Sequence, residues 1–150
     1  MSKEQNKNYG KSIRTKLLNV ARKENVFNQT ILTRYFQERL LYRISQTHYR
    51  GNFYLKGGAL MYAYEKFAAR PTLDIDFLGN NISNEGSSII AAFREICSVP
   101  YEEDGVIFPD FDKMCTYKIT YPNFQAFSKN NLCKWVTQRL FFVSLHHVCT

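Results

Sequence analysis

The sequence predicts an α+β fold: a small mixed sheet with helices packed on it, two helices in front, and an incomplete C-terminal part. Three observations carry this expectation. Two helical patterns run over about 13–23 and from Asn28 to about Ser45. The stretch FYLKGGALMYAYEKFAARPTLDIDFLG (53–79) reads as a strand, a glycine turn, a helix and a second strand. Beyond Tyr121 the ordered succession of elements stops. Helical and two-residue periods alternating along one short chain point to helices against a sheet.

The elements follow in order. Residues 1–10 are polar and are expected to fray. Ser12 is placed to cap a helix over about 13–23, with Ile13, Leu17, Val20 and Ala21 at helical spacing. Asn28 is placed to cap a longer helix reaching Ser45. Ile31, Leu32, Tyr35, Phe36, Leu40 and Ile44 form its apolar stripe, and Arg34, Glu38, Arg39 and Arg43 are expected largely off it, on a solvated face. A strand over Phe53–Lys56 leads into a helix over about 58–67, whose Leu60, Met61, Tyr64 and Phe67 are expected in the core. Tyr62 falls off that stripe. Residues 68–72 turn the chain, and Arg70 before Pro71 is expected extended. A second strand runs over Asp74–Leu78. A polar loop precedes a helix over about 85–98, with Ile89, Ile90, Phe93, Ile96 and Cys97 in period, ended by Pro100. EEDG (102–105) is a turn, Val106–Phe108 a short strand and Met114–Thr120 another. In the tail, Trp135, Leu140, Phe141 and Val143 suggest a short packed helix.

At 150 residues the chain has the size of one domain with a real core. Its net charge of +7 favours a polyanionic partner such as a nucleic acid, a nucleotide or an acidic protein. No stretch approaches the roughly 20 apolar residues that span a bilayer. MSKEQNKNYGK has no apolar centre and is not a signal peptide, so the expected compartment is cytoplasmic. Cys97, Cys115, Cys133 and Cys149 form no C-x-x-C pair and read as reduced thiols. There is no G-x-S-x-G, no Walker lysine motif and no Cys/His nucleophile pairing. Cys133, His146, His147 and Cys149 have zinc-ligating atoms but no recognised spacing, and His48 is isolated.

The chemistry concentrates in residues 53–79. Side chains alternate along a strand, so Asp74 and Asp76 share a face, about 7 Å apart, while Ile75 and Phe77 turn to the core. Two carboxylates so placed can share divalent cations. Gly57 and Gly58 open a helix with no side chain in the way, which makes an anion-binding turn.

A Gly-Gly turn, a helix and then an Asp-x-Asp strand resemble the polymerase-β-like nucleotidyltransferase superfamily. ERLLYRIS (38–45), FYLKGGALMYAY and RPTLDIDFLG together look like the AbiEii/AbiGii family of nucleotidyltransferase toxins, over roughly residues 10–120. The resemblance implies a nucleotidyltransferase-like domain over 11–120 and an atypical tail over 121–150, truncated or altered after about residue 120. It implies Mg²⁺ and an NTP, with transfer of a nucleoside monophosphate to a tRNA or to a protein hydroxyl. Asp74 and Asp76 would be the catalytic and metal-binding carboxylates. Gly57 and Gly58 would bind phosphate, with Lys56, Arg70 and Thr72 as further candidates. A cognate antitoxin is implied as partner, and no membrane.

The chain departs from that pattern in one respect. The family has a third carboxylate on a later strand, and no matching strand is evident. Asp110 and Asp112 fall where the family has a variable acidic loop. A complete domain of the family is also longer. The alternative reading is a non-catalytic nucleotide- or RNA-binding remnant.

Overall fold

The computed structural model describes residues 8–83, 85–108, 115–120 and 139–145. Helix α1 (Tyr9–Lys23) begins before Ser12 because Asn8 caps it: its side-chain oxygen accepts from Lys11 N at 2.9 Å. Helix α2 (Asn28–Ser45) has Phe27 at the cap position, so Asn28 is its first helical residue. Then come β1 (Phe53–Lys56), α3 (Gly57–Glu65), β2 (Asp74–Gly79), α4 (Gly86–Ser98), β3 (Cys115–Thr120) and β4 (Arg139–Leu145). The architecture is mixed α+β. No helix among the described residues is long and apolar enough to cross a membrane.

The sheet order is β1-β2-β4-β3. All three pairings are antiparallel, where a mixed sheet was expected. The reason lies in the link between β1 and β2. The nine residues of α3 carry the chain away, and the return loop brings Thr72 back against Gly58. The excursion ends where it began, so β2 starts at the end of β1 and runs the other way. The register sets Lys56 opposite Asp76 and Tyr54 opposite Leu78.

One face of the sheet carries the core. Phe53, Ile75 and Phe77 pack against Leu40 and Ile44 of α2 and Phe93 of α4. Phe53, Phe77 and Phe93 meet pairwise with ring centroids 4.9–5.9 Å apart. The period of α4 is borne out: Ile89, Phe93, Ile96 and Cys97 are buried, joined by Ala92.

Helix α2 corrects the expectation of a basic solvated face. Arg34 and Arg43 are buried, as are Thr33 and Gln37. This helix packs on both α1 and α4, so more than one of its sides is covered. Arg34 lays its guanidinium 3.3 Å over the centroid of the Tyr62 ring. Arg43 forms an ion pair with Asp104, Nη1 to Oδ2 at 2.7 Å.

Three further expectations are corrected. Met61 and Tyr64 are 47% and 77% exposed, and Ala59 takes the buried position on α3. The helix ends at Glu65, and Lys66, at φ 52°, breaks the helical phase before Phe67. Val106–Phe108 is not a strand. Val106 N donates to Asp104 Oδ1 (2.8 Å) and Val106 O accepts from Arg43 Nη2 (2.9 Å), so side chains satisfy the groups a ladder would use. In the tail, Leu140, Phe141 and Val143 lie on β4 rather than on a helix. Pairing with β2 and β3 on its two sides sets that stretch as a strand. Trp135 lies outside the described residues.

Candidate active site

Strand β2 positions the two carboxylates by its alternation. Ile75 and Phe77 are 0% exposed, while Asp74 is exposed and Asp76 half-buried. The two acids therefore project from the face opposite the core. Lys56, directly across from Asp76, shares that face.

The glycine turn closes on the same point. Gly57 sits at φ 65°, a conformation that favours glycine, and a Cβ there would collide with Asp76 Oδ2. A Cβ on Gly58 would come within 2.9 Å of Thr72 Cβ. The backbone at the start of α3 is thus in direct apposition to one carboxylate and to the end of the return loop. Both approaches need the absence of a side chain.

The electrostatics of Asp76 are unbalanced. Burial pushes its carboxyl above the usual range, the neighbouring Asp74 adds to that, and Lys56 opposes it. Its Oδ1 is buried with no hydrogen-bond partner. A buried carboxylate oxygen that no protein donor meets, beside a second acid, fits a hard divalent cation such as Mg²⁺. Among the described residues no group of three His, Cys, Asp or Glu side chains gathers to form a larger site.

The remaining candidates are placed less evenly. Thr72 is held at the site, and its hydroxyl donates to Asp74 O at 3.1 Å. Lys56 lies near enough to lower the Asp76 pKa. Arg70 is exposed on the return loop, and among the described residues no hydrogen bond or ion pair ties it to the carboxylates. One face of Tyr62 is covered by Arg34, and its ring makes a T-shaped contact with Phe67. His48 is exposed and contacts Glu95 at 3.2 Å. Asp110, Asp112, Cys133, His146, His147 and Cys149 lie outside the described residues.

Strand β4 bears on the third carboxylate. It runs beside the acid strand, with Ser144 opposite Asp74 and Phe142 opposite Asp76. Its sequence, RLFFVSL, contains neither Asp nor Glu. A strand does border β2, and it brings no acid to it.

Sequence reasoning missed Gln37. This α2 side chain is 4% exposed, and its Nε2 faces the carbonyls of Thr72, Leu73 and Asp74 at 3.4, 3.4 and 3.2 Å. The available signal was weak: a polar residue four positions after Thr33 and next to the core residue Phe36. A cavity of about 440 Å³ between α1 and α2, lined by Lys11, Arg14, Tyr35 and Gly105, does not reach the carboxylates.

A family model described as "Nucleotidyl transferase AbiEii toxin, Type IV TA system" matches residues 39–127, more than half of the chain. The match includes the glycine turn and both acids of β2. No curated protein and no solved structure matches.

Proposed function

The chain belongs to the AbiEii nucleotidyltransferase toxin family, and on that premise we propose that it transfers a nucleoside monophosphate from an NTP to a macromolecular acceptor. The acceptor is a hydroxyl on a tRNA or other RNA, or on a protein. Its oxygen forms the new bond to the α-phosphorus and gives up its proton to water, the bond to the bridging oxygen breaks, and pyrophosphate leaves. The observation that carries this reading is the apposition of Gly57 to Asp76 Oδ2. It brings the amides of a helix start against a carboxylate pair, as a metal–triphosphate requires.

Asp74 and Asp76 are the residues that would hold Mg²⁺. Bound there, the metal would supply charge stabilisation for the triphosphate and for the attacking oxygen. The amides of Gly57 and Gly58 line the phosphates. Lys56 adds a positive charge on the same face, and Thr72 and Arg70 approach from the return loop. A net charge of +7 supports a polyanionic acceptor. A cognate antitoxin and a cytoplasmic site of action complete the proposal.

The test is to incubate the protein with Mg²⁺, labelled NTPs and total RNA or protein, beside Asp76→Asn. Label transferred by the wild type and lost in the variant is the expected result. Equal labelling by both overturns the assignment.

A second reading is a non-catalytic nucleotide- or RNA-binding remnant of such a domain. It is favoured by the absence of Asp and Glu from β4, beside the acid strand. Losing a metal ligand costs several kcal/mol, on the order of a thousandfold in rate. Mg²⁺-dependent nucleotide binding with no transfer supports this reading, and transfer excludes it.

A further inference from the structure

We propose that Gln37 is a positioning residue for the metal-binding carboxylates, acting through the backbone of the return loop. The inference rests on the reading of Asp74 and Asp76 as metal ligands and adds a residue that lies before the matched segment 39–127.

Three observations carry it. First, one buried amide nitrogen faces three successive carbonyls, those of Thr72, Leu73 and Asp74. An Nε2 group has two hydrogens, so the three acceptors share them. Each contact is long, but together they make a polar clamp at the foot of β2. Three converging carbonyls require the nitrogen of the side chain rather than its oxygen to point inward.

Second, the clamped residues build the site. Thr72 abuts Gly58, and its hydroxyl closes onto Asp74 O at 3.1 Å. Asp74 is the first residue of β2 and pairs with Ser144. The loop before it is buried at Ala69, while Arg70, Pro71 and Leu73 are exposed. The Asp74 backbone is therefore held from two sides, by its ladder pairing with Ser144 and by Gln37 of α2.

Third, Gln37 is available for this work. It sits within the buried part of α2 near Leu40 of the core, so its side chain is backed by packed residues. Groups that orient a metal ligand commonly alter metal affinity when removed, by roughly 10–100-fold.

The test compares Gln37→Met, which keeps length and apolar packing while removing the donors, with Tyr35→Phe. The latter removes the Tyr35 OH to Asp104 O bond (2.8 Å) from another side of the same helix and serves as a structural control. Both folds are checked by circular dichroism. Two quantities are read on the full chain: amide hydrogen exchange at residues 72–74, and binding of Mn²⁺ alone by the loss of its free electron-spin signal. In Gln37→Met, exchange at 72–74 should accelerate and the Mn²⁺ dissociation constant should rise about tenfold. In Tyr35→Phe neither should move. A Gln37→Met protein that loosens the loop yet binds Mn²⁺ like wild type overturns the proposal, as does one with unchanged exchange. Asp76→Asn separates the two levels of inference. If it binds Mn²⁺ as wild type does, the carboxylate reading fails and this proposal with it. If it loses binding while Gln37→Met keeps it, this proposal fails alone.

Discussion

Two regions of the molecule take charge out of water, with opposite outcomes. At the Arg43–Asp104 pair the residues are 2% and 3% exposed. The guanidinium donates to Asp104 Oδ2 and Oδ1 and to the carbonyls of Arg39, Val99 and Val106. Asp104 Oδ1 also accepts from Val106 N. Desolvation there is offset by opposite charge and by hydrogen bonds. At β2, Asp76 is less buried, yet its Oδ1 has no partner and its neighbour is a like charge. The first region spends its polar groups on holding α2 to the segment after α4. The second leaves them unspent, which is what a cation site needs before the cation arrives.

The largest effect should come from breaking the satisfied pair. Asp104→Ala leaves a buried guanidinium without its counter-ion and should cost about 3–5 kcal/mol, read by urea denaturation. A loss below about 1 kcal/mol would erase the contrast. Gly57→Ala should come next. Its backbone conformation costs about 1–2 kcal/mol for a residue with a Cβ, and the new methyl collides with Asp76. Divalent-metal binding, followed by titration calorimetry, should be lost while most of the melting temperature is retained.

Asp76→Asn sharpens the contrast by its sign. The folded-state pKa of Asp76 is raised, so the native protein holds that proton more tightly than the unfolded chain. The ionised carboxylate thus lowers metal-free stability above the raised pKa, and the penalty fades as pH falls from that raised value to the ordinary carboxylate value, below which it is gone. Asp76→Asn should be more stable than wild type at neutral pH, by less than about 1 kcal/mol after solvent screening. Melting curves across pH should show that margin closing in acid. The smallest effect is on wild-type metal affinity, which should weaken as pH falls through the raised Asp76 pKa, because proton and cation compete for the same oxygens. A pH-independent affinity would place the cation elsewhere.

Much of this was legible from local pattern. The strand, glycine turn, helix and second strand were readable because glycine at a turn and alternation along a strand are signals within a few residues. The same alternation placed Asp74 and Asp76 together. The exposure of Met61 and Tyr64 was not legible, because α3 is apolar nearly all round and its own period does not say which side meets the sheet. The roles of Arg43 and Gln37 were hidden for another reason. Their partners lie 61 and 35–37 residues away, beyond any periodicity.

The sequence by itself determined the kinds of element up to the end of α4, the shared face of the two acids and the need for glycine before α3. These follow from backbone sterics and side-chain direction, which act over a few residues. Tertiary structure alone decided that Gly57 meets Asp76, that β4 borders the acid strand, and that two arginines and a glutamine of α2 are buried. Each depends on which distant group fills the space around a polar atom, and that is settled only when the chain is packed.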